Sequence, residues 1–153
     1  MDQPTAEHAL KRLEPLVGQW SMEASPPGGP AWQAEASTTI EWHESGSQLV
    51  QRSTVDMPEA PDGVSIIGCD AANGTYDSLH SDERGVCRIY KMEITAREWT
   101  LRRNGEPFPQ RFTATISEDG NTITGRWEKA PDGKTWETDF DVVYRKVETR
   151  AAP

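Results

Sequence analysis

The fold class this chain predicts is all-β: an antiparallel up-and-down β-barrel of about ten strands with a short N-terminal helix. Three observations predict it. Trp136, Thr138, Phe140, Val142 and Tyr144 alternate with Thr135, Glu137, Asp139, Asp141 and Arg145, so that segment has one apolar face and one wet face. Similar alternation recurs along most of the chain, interrupted by turn sequences. Every connection is too short for a helical crossover, which excludes parallel pairing, and closure removes the two bare edges a flat sheet would keep.

The elements follow in order. Ala6, Ala9, Leu10 and Leu13 form a helical stripe over about Thr5–Leu16, with Thr5 after Pro4 as N-cap and Pro15 ending the regular turn. The first strand is Val17–Ala24, and a Pro/Gly loop, Ser25–Pro30, follows it. Trp32–His43 places Trp32, Ala34, Ala36, Thr38, Ile40 and Trp42 on one face. Ser47–Asp56 and Val64–Asp70 are strands whose faces alternate too poorly to assign. Thr75–Ser81, Val86–Ile94, Arg97–Arg103, Phe108–Ser117, Asn121–Lys129 and Lys134–Lys146 complete the set. The turns between them include Ala72-Asn73-Gly74, Asn104-Gly105 and Asp119-Gly120-Asn121, with Ala-Pro-Asp-Gly ending at Gly63 and again at Gly133.

At 153 residues the chain is expected to be one domain, with its core over about 13–146 and poorly ordered tails before Thr5 and after Lys146. The net charge of −9 opposes a nucleic-acid or anionic-membrane surface, and only Arg102-Arg103 suggests a basic patch. The opening Met-Asp-Gln-Pro-Thr has neither a basic nor an apolar leader region, and no apolar run approaches the ~20 residues of a membrane span. A cytoplasmic location is therefore expected. Cys69 and Cys87 have no metal-ligand spacing and are expected as small, buried or half-buried thiols.

Gly18-x-Trp20, directly after the helix, resembles the Gly-x-Trp signature of the calycin superfamily, which includes lipocalins, fatty-acid-binding proteins and nitrobindin-like barrels. The resemblance implies that Trp20 plugs one end of the barrel and that Arg145 packs over it. Val17-Gly18-Gln19-Trp20, Gly68-x-Asp70 followed by Tyr76, and Trp127-Glu128 with Pro131-Asp132-Gly133, Trp136 and Tyr144-Arg145 together resemble a bacterial domain of unknown function, DUF1579. That likeness covers roughly residues 13–146 and implies a lipocalin-like barrel with no settled activity. Nitrobindin-type barrels ligate haem through a late-chain histidine. No histidine follows His80, so haem by that mode is disfavoured and no cofactor is expected.

Function is sought in polar residues on apolar faces. Arg88 stands with Val86, Tyr90, Met92 and Ile94, and Gln110 stands with Phe108, Phe112, Ala114 and Ile116. His80 shares a face with Tyr76 and Ser78, and Gly125, beside Ile123 and Trp127, leaves space in the wall. A buried arginine needs a carboxylate, water or a ligand anion. Arg88, Tyr90, His80, Tyr76, Gln110, Trp99, Phe112 and Trp127 are thus the candidate ligand-binding residues, suited to a small hydrophobic or aromatic molecule with an anionic group. Against this, Arg88 and Arg103 lie near strand ends, from which a long side chain reaches solvent. Trp20, Trp127 and Trp136 are expected as core or plug, and His8 and His43 as surface.

Three functions stay open. The first is a ligand-binding barrel. The second is a barrel cyclase or isomerase, with His80, Tyr76, Tyr90 and Arg88 as candidate catalytic groups. The third is a packed structural or interaction domain. No metal site, nucleophile elbow or phosphate loop is present as a motif, and Asp70, Asp77, Asp82 and Glu83 are expected as turn residues. A small molecule is the expected partner, without nucleic acid or membrane, and a homodimer is left open.

Overall fold

In the computed structural model, which describes residues 6–105 and 107–147, ten strands close into a barrel. They are β1 (Gly18–Ser25), β2 (Ala36–Trp42), β3 (Leu49–Val55), β4 (Gly63–Asp70), β5 (Thr75–Asp82), β6 (Cys87–Ile94), β7 (Glu98–Arg103), β8 (Gln110–Ile116), β9 (Thr122–Lys129) and β10 (Glu137–Lys146). Each pairs antiparallel with its chain neighbour, and β1 pairs with β10 to close the ring. The odd-to-even connections, β1–β2 through β9–β10, therefore all lie at one end. The even-to-odd connections and the N-terminal segment lie at the other.

The single helix expected over 5–16 is a short helix, α1 (Glu7–Lys11), followed by a 3-10 turn at Glu14–Leu16. Thr5 and the N-terminal tail lie outside the described residues, as does the C-terminal tail beyond Val147. This segment plugs its end of the barrel. Leu13 and Leu16 are fully buried beside Ile40, Leu49, Ile67 and Ile116, each large apolar side chain contributing about 1.5–3 kcal/mol. Polar ties fasten the plug: Trp20 Nε1–H donates to Leu16 O at 3.0 Å, Trp42 Nε1–H to Glu14 Oε1 at 3.1 Å, and the Tyr76 hydroxyl to Ala9 O at 2.7 Å.

The lid over Trp20 is Lys146, not Arg145. Register sets Trp20 opposite Lys146 and Ser21 opposite Arg145, so Arg145 faces outward, 3.7 Å from Glu23. The Lys146 ammonium sits 5.1 Å from the Trp20 ring. A Cβ at Gly18, which has φ +151°, would come within 2.9 Å of Lys146 Cε. The glycine two residues before the tryptophan thus makes room for the lysine that covers it.

Three expectations are corrected. A bulge between Thr138 and Phe140 shifts the β10 register, so Phe140, Val142 and Tyr144 face inward while Trp136 lies outside, 4.1 Å under the Arg111 guanidinium. Trp136 is therefore neither core nor plug. Trp32 precedes β2, in the loop beside the open end, and is 42% exposed. Cys87 is exposed on the outer face of β6, whereas Cys69 is half-buried. Among the described residues, no helix is long and apolar enough to cross a membrane.

Candidate functional site

The end opposite the plug opens into the lumen. An inner compartment of about 230 Å3 is continuous with an outer one of about 560 Å3 through Ser53, His80, Arg84, Arg88, Gln110 and Trp127, which line both. These volumes suit a small organic molecule. The inner wall is aromatic: Phe112 stacks on Trp127 with centroids 5.0 Å apart, and Tyr90 meets Trp127 edge-on at 5.6 Å. Trp99 and Leu101 complete the floor. The outer wall is aliphatic and aromatic, from Met22, Ala24, Val55, Met57, Trp32 and Phe140.

Register accounts for the polar groups on this wall. Gln51 faces Ser65, Ser65 faces His80 and His80 faces Arg88, forming one inward row across β3, β4, β5 and β6. One step deeper Ile67, Ser78 and Tyr90 make a second row, and one step toward the mouth Gly63 faces Asp82. A Cβ at Gly63 would come within 2.8 Å of His80 Cε1, so the bare backbone there is what accommodates the imidazole.

Arg88 and Tyr90 share one acceptor. Gln110 Oε1, arriving from β8, accepts Arg88 Nη1–H at 2.8 Å and the Tyr90 hydroxyl at 2.7 Å. Burial pushes the Tyr90 phenol above its ordinary pKa while Arg88 opposes the shift, so the phenol remains a donor near neutral pH. The Arg88 guanidinium lies 5.2 Å from the Phe108 ring centroid. Phe108 has φ +59°, the one non-glycine residue with positive φ among those described, and it lines the outer compartment. Among the described residues, no carboxylate lies within ion-pair distance of Arg88.

A second polar chain begins at Asp82, whose side chain is fully enclosed. Its Oδ2 accepts from Arg84 Nη2 at 2.7 Å and lies 3.2 Å from His80 Nε2, while Oδ1 accepts Arg84 Nε–H at 3.2 Å and Arg84 N–H at 3.0 Å. The Arg84 hydrogen bonds, seconded by His80, hold the carboxyl well below the usual carboxylate range against the opposing effect of burial. His80 Nδ1 lies 3.3 Å from Ser65 Oγ. Because the ionised Asp82 only accepts, Nε2 of a neutral His80 carries the proton and Nδ1 accepts from Ser65.

His80, Arg88, Tyr90, Gln110, Trp99, Phe112 and Trp127 come together around the inner compartment. Tyr76 stands apart, its hydroxyl committed to the plug. Arg103 turns to the chain end of its strand, where Nη2 donates to Pro107 O at 3.4 Å. Ser65, Asp82, Arg84 and Tyr144 also line the lumen but escaped the sequence criteria. Outward Val64 and Ile66 erase the alternation of β4 and so hid Ser65, and Asp82 resembled a turn residue. The space at Gly125 is filled: a Cβ there would meet Phe112 Cζ at 2.7 Å. Among the described residues, no cluster of three or more His, Cys, Asp or Glu could hold a metal ion.

No family model matches the chain, and no curated protein does. Among solved structures it is similar to Rv2717c from M. tuberculosis, at 13% identity over 92% of this chain and 98% of that one, with a TM-score of 0.61. A protein of unknown function from the DUF3598 family of Nostoc punctiforme aligns at 7% identity over 96% and 100% of the two chains, with a TM-score of 0.26. The likeness to Rv2717c is one of fold alone, and that to the DUF3598 protein carries no argument.

Proposed function

We propose that the barrel binds a small amphipathic molecule, apolar or aromatic in its body and anionic at one end, and that the chain is a DUF1579-like member of the calycin superfamily. One observation carries the binding proposal. Arg88, half-buried in an aromatic wall, is held by neutral Gln110 and has no carboxylate within ion-pair distance among the described residues. A bound anion would supply the charge-assisted hydrogen bonds that the protein wall withholds. The apolar body would lie toward Trp127, Phe140 and Met22, in the outer compartment. The Gly18-x-Trp20 motif at the plugged end of the barrel supports the calycin proposal. Neither proposal calls for metal, haem or a macromolecular partner, and both treat the chain as one cytoplasmic domain.

The test is a tryptophan-quenching titration with hydrophobic aromatic carboxylates and their methyl esters. Carboxylates should bind more tightly than the matched esters. Arg88→Gln should weaken carboxylate binding about 10- to 100-fold, the equivalent of the ~1.5–3 kcal/mol of a hydrogen bond to a charged group. Ester binding should change little. Equal affinity for acid and ester in the unaltered protein would exclude Arg88 as an anion site.

A further inference from the structure

Ser65, His80 and Asp82 form a hydrogen-bonded line that anion binding at Arg88 does not use. Oγ lies 3.3 Å from Nδ1, and Nε2 lies 3.2 Å from a carboxylate that Arg84 clamps in place. The line lies where cross-strand register puts it, with Ser65 opposite His80 and Gly63 opposite Asp82. The hydroxyl end faces the inner compartment, which Arg84 and Arg88 also line. A nucleophile, a base in hydrogen-bond contact and a group orienting the base are the parts that acyl transfer requires. The imidazole is turned end for end relative to the usual serine-hydrolase arrangement, but its two nitrogens perform the same proton transfer.

We infer that Ser65 is an acylable nucleophile, with His80 as its general base and Asp82 as a positioning residue, acting on amphipathic carboxylic esters that enter the lumen. This rests on the binding proposal, because Arg88, next to His80 in the same row, holds the anionic end of the substrate. As Ser65 Oγ bonds to the ester carbonyl carbon, its proton passes to His80 Nδ1. The tetrahedral oxyanion forms in the inner compartment, which the Arg84 guanidinium also lines. Its collapse breaks the ester C–O bond, and His80 returns the proton to the departing alkoxide. Water, deprotonated by His80 in the same way, then attacks the acyl-serine, releasing a carboxylate and restoring Ser65.

The experiment incubates the full chain with the 4-nitrophenyl monoester of adipic acid and with neutral 4-nitrophenyl hexanoate. Nitrophenolate release is followed together with intact mass and peptide mapping. The acyl group should map to Ser65, and the anionic ester should react faster than the neutral one. His80→Gln should slow acylation by about 100-fold or more, in line with the loss of a general base. Ser65→Ala should abolish the adduct and Ser65→Cys should retain it, so a folding defect in one variant leaves the other informative. Asp82→Asn should slow acylation while leaving the binding of 1-anilinonaphthalene-8-sulfonate within about twofold, a split that a merely structural role would not give. An unacylated Ser65, or an unchanged rate in Ser65→Ala, overturns the inference. Titration of the same protein with 1-anilinonaphthalene-8-sulfonate separates the two proposals. Arg88-dependent binding without acylation removes only the nucleophile, whereas absence of both removes the anion site as well.

Discussion

Two buried side chains, Tyr144 and Asp82, contribute to the pH dependence of the fold's stability. Burial pushes the Tyr144 phenol up to about 12. A folded pKa above the unfolded value of ~10 means that the stabilisation is fully present below pH ~10 and is lost as pH rises towards the folded value. The loss attributable to Tyr144 is ~1.4 kcal/mol at about pH 11, and Tyr144→Phe should flatten that limb in urea melts compared near pH 9 and pH 11. Tyr90, raised in the same direction by burial, leaves a residual slope. Asp82 acts with the opposite sign. Its folded pKa is depressed, chiefly by Arg84, so its contribution is present above the unfolded value of ~3.9 and disappears as pH falls through the folded one. Asp82→Asn should cost ~1–2 kcal/mol at neutral pH and give a shallower acid limb, measured as the urea midpoint against pH. Tyr144 was legible as part of an alternating column. Asp82 was not, because a carboxylate followed by Glu83, Arg84 and Gly85 resembles a turn, and its burial depends on partners that no local pattern displays.

Among the elements, β9 places the strictest demand on its sequence. Gly125 sits opposite Ala114 and Val142, and the Phe112 ring occupies the volume its side chain would fill. That ring also packs against Trp127 on one side and Trp99 on the other, the latter at 5.1 Å, so moving it for a Cβ disturbs both contacts. Gly125→Ala should destabilise the protein by about 1–3 kcal/mol at unchanged urea m-value. Pairing it with Phe112→Leu should recover part of that loss, a coupling that a double-mutant cycle reads directly. Strand identity was legible where one face is wet, as in β6 and β8, and the inward positions of Arg88, Tyr90, Gln110 and Phe112 followed from it. It failed in β4, where Val64 and Ile66 are outward and about 40% exposed, leaving no contrast between the faces. It also failed at the start of β10, where one bulged residue inverted the face of Trp136.

The barrel as a whole was legible because closure is the sum of many short-range signals: alternation, turn sequences and the absence of crossovers. The polar chain through Ser65, His80 and Asp82 was not, because it is assembled by register across β4 and β5, and register is a property of the closed sheet. The same scale governs how an anionic ligand arrives. The chain carries a net charge of −9, and the loops around the mouth place Asp56, Glu59, Asp62 and Glu83 on the surface, so the long-range field opposes an anion. Arg88 acts at contact distance inside a half-buried wall, where salt screens little. Raising ionic strength from ~0.01 M to ~0.1 M shortens the Debye length from ~30 Å to ~10 Å and removes mainly the repulsion. The association rate of a hydrophobic carboxylate, followed by stopped-flow tryptophan quenching, should therefore rise with salt, while the dissociation rate stays within about twofold. An association rate that falls with salt would mean that the guanidinium groups of Arg84 and Arg88 dominate the field well beyond the mouth. Attraction at contact and repulsion at a distance would then no longer be separable by ionic strength.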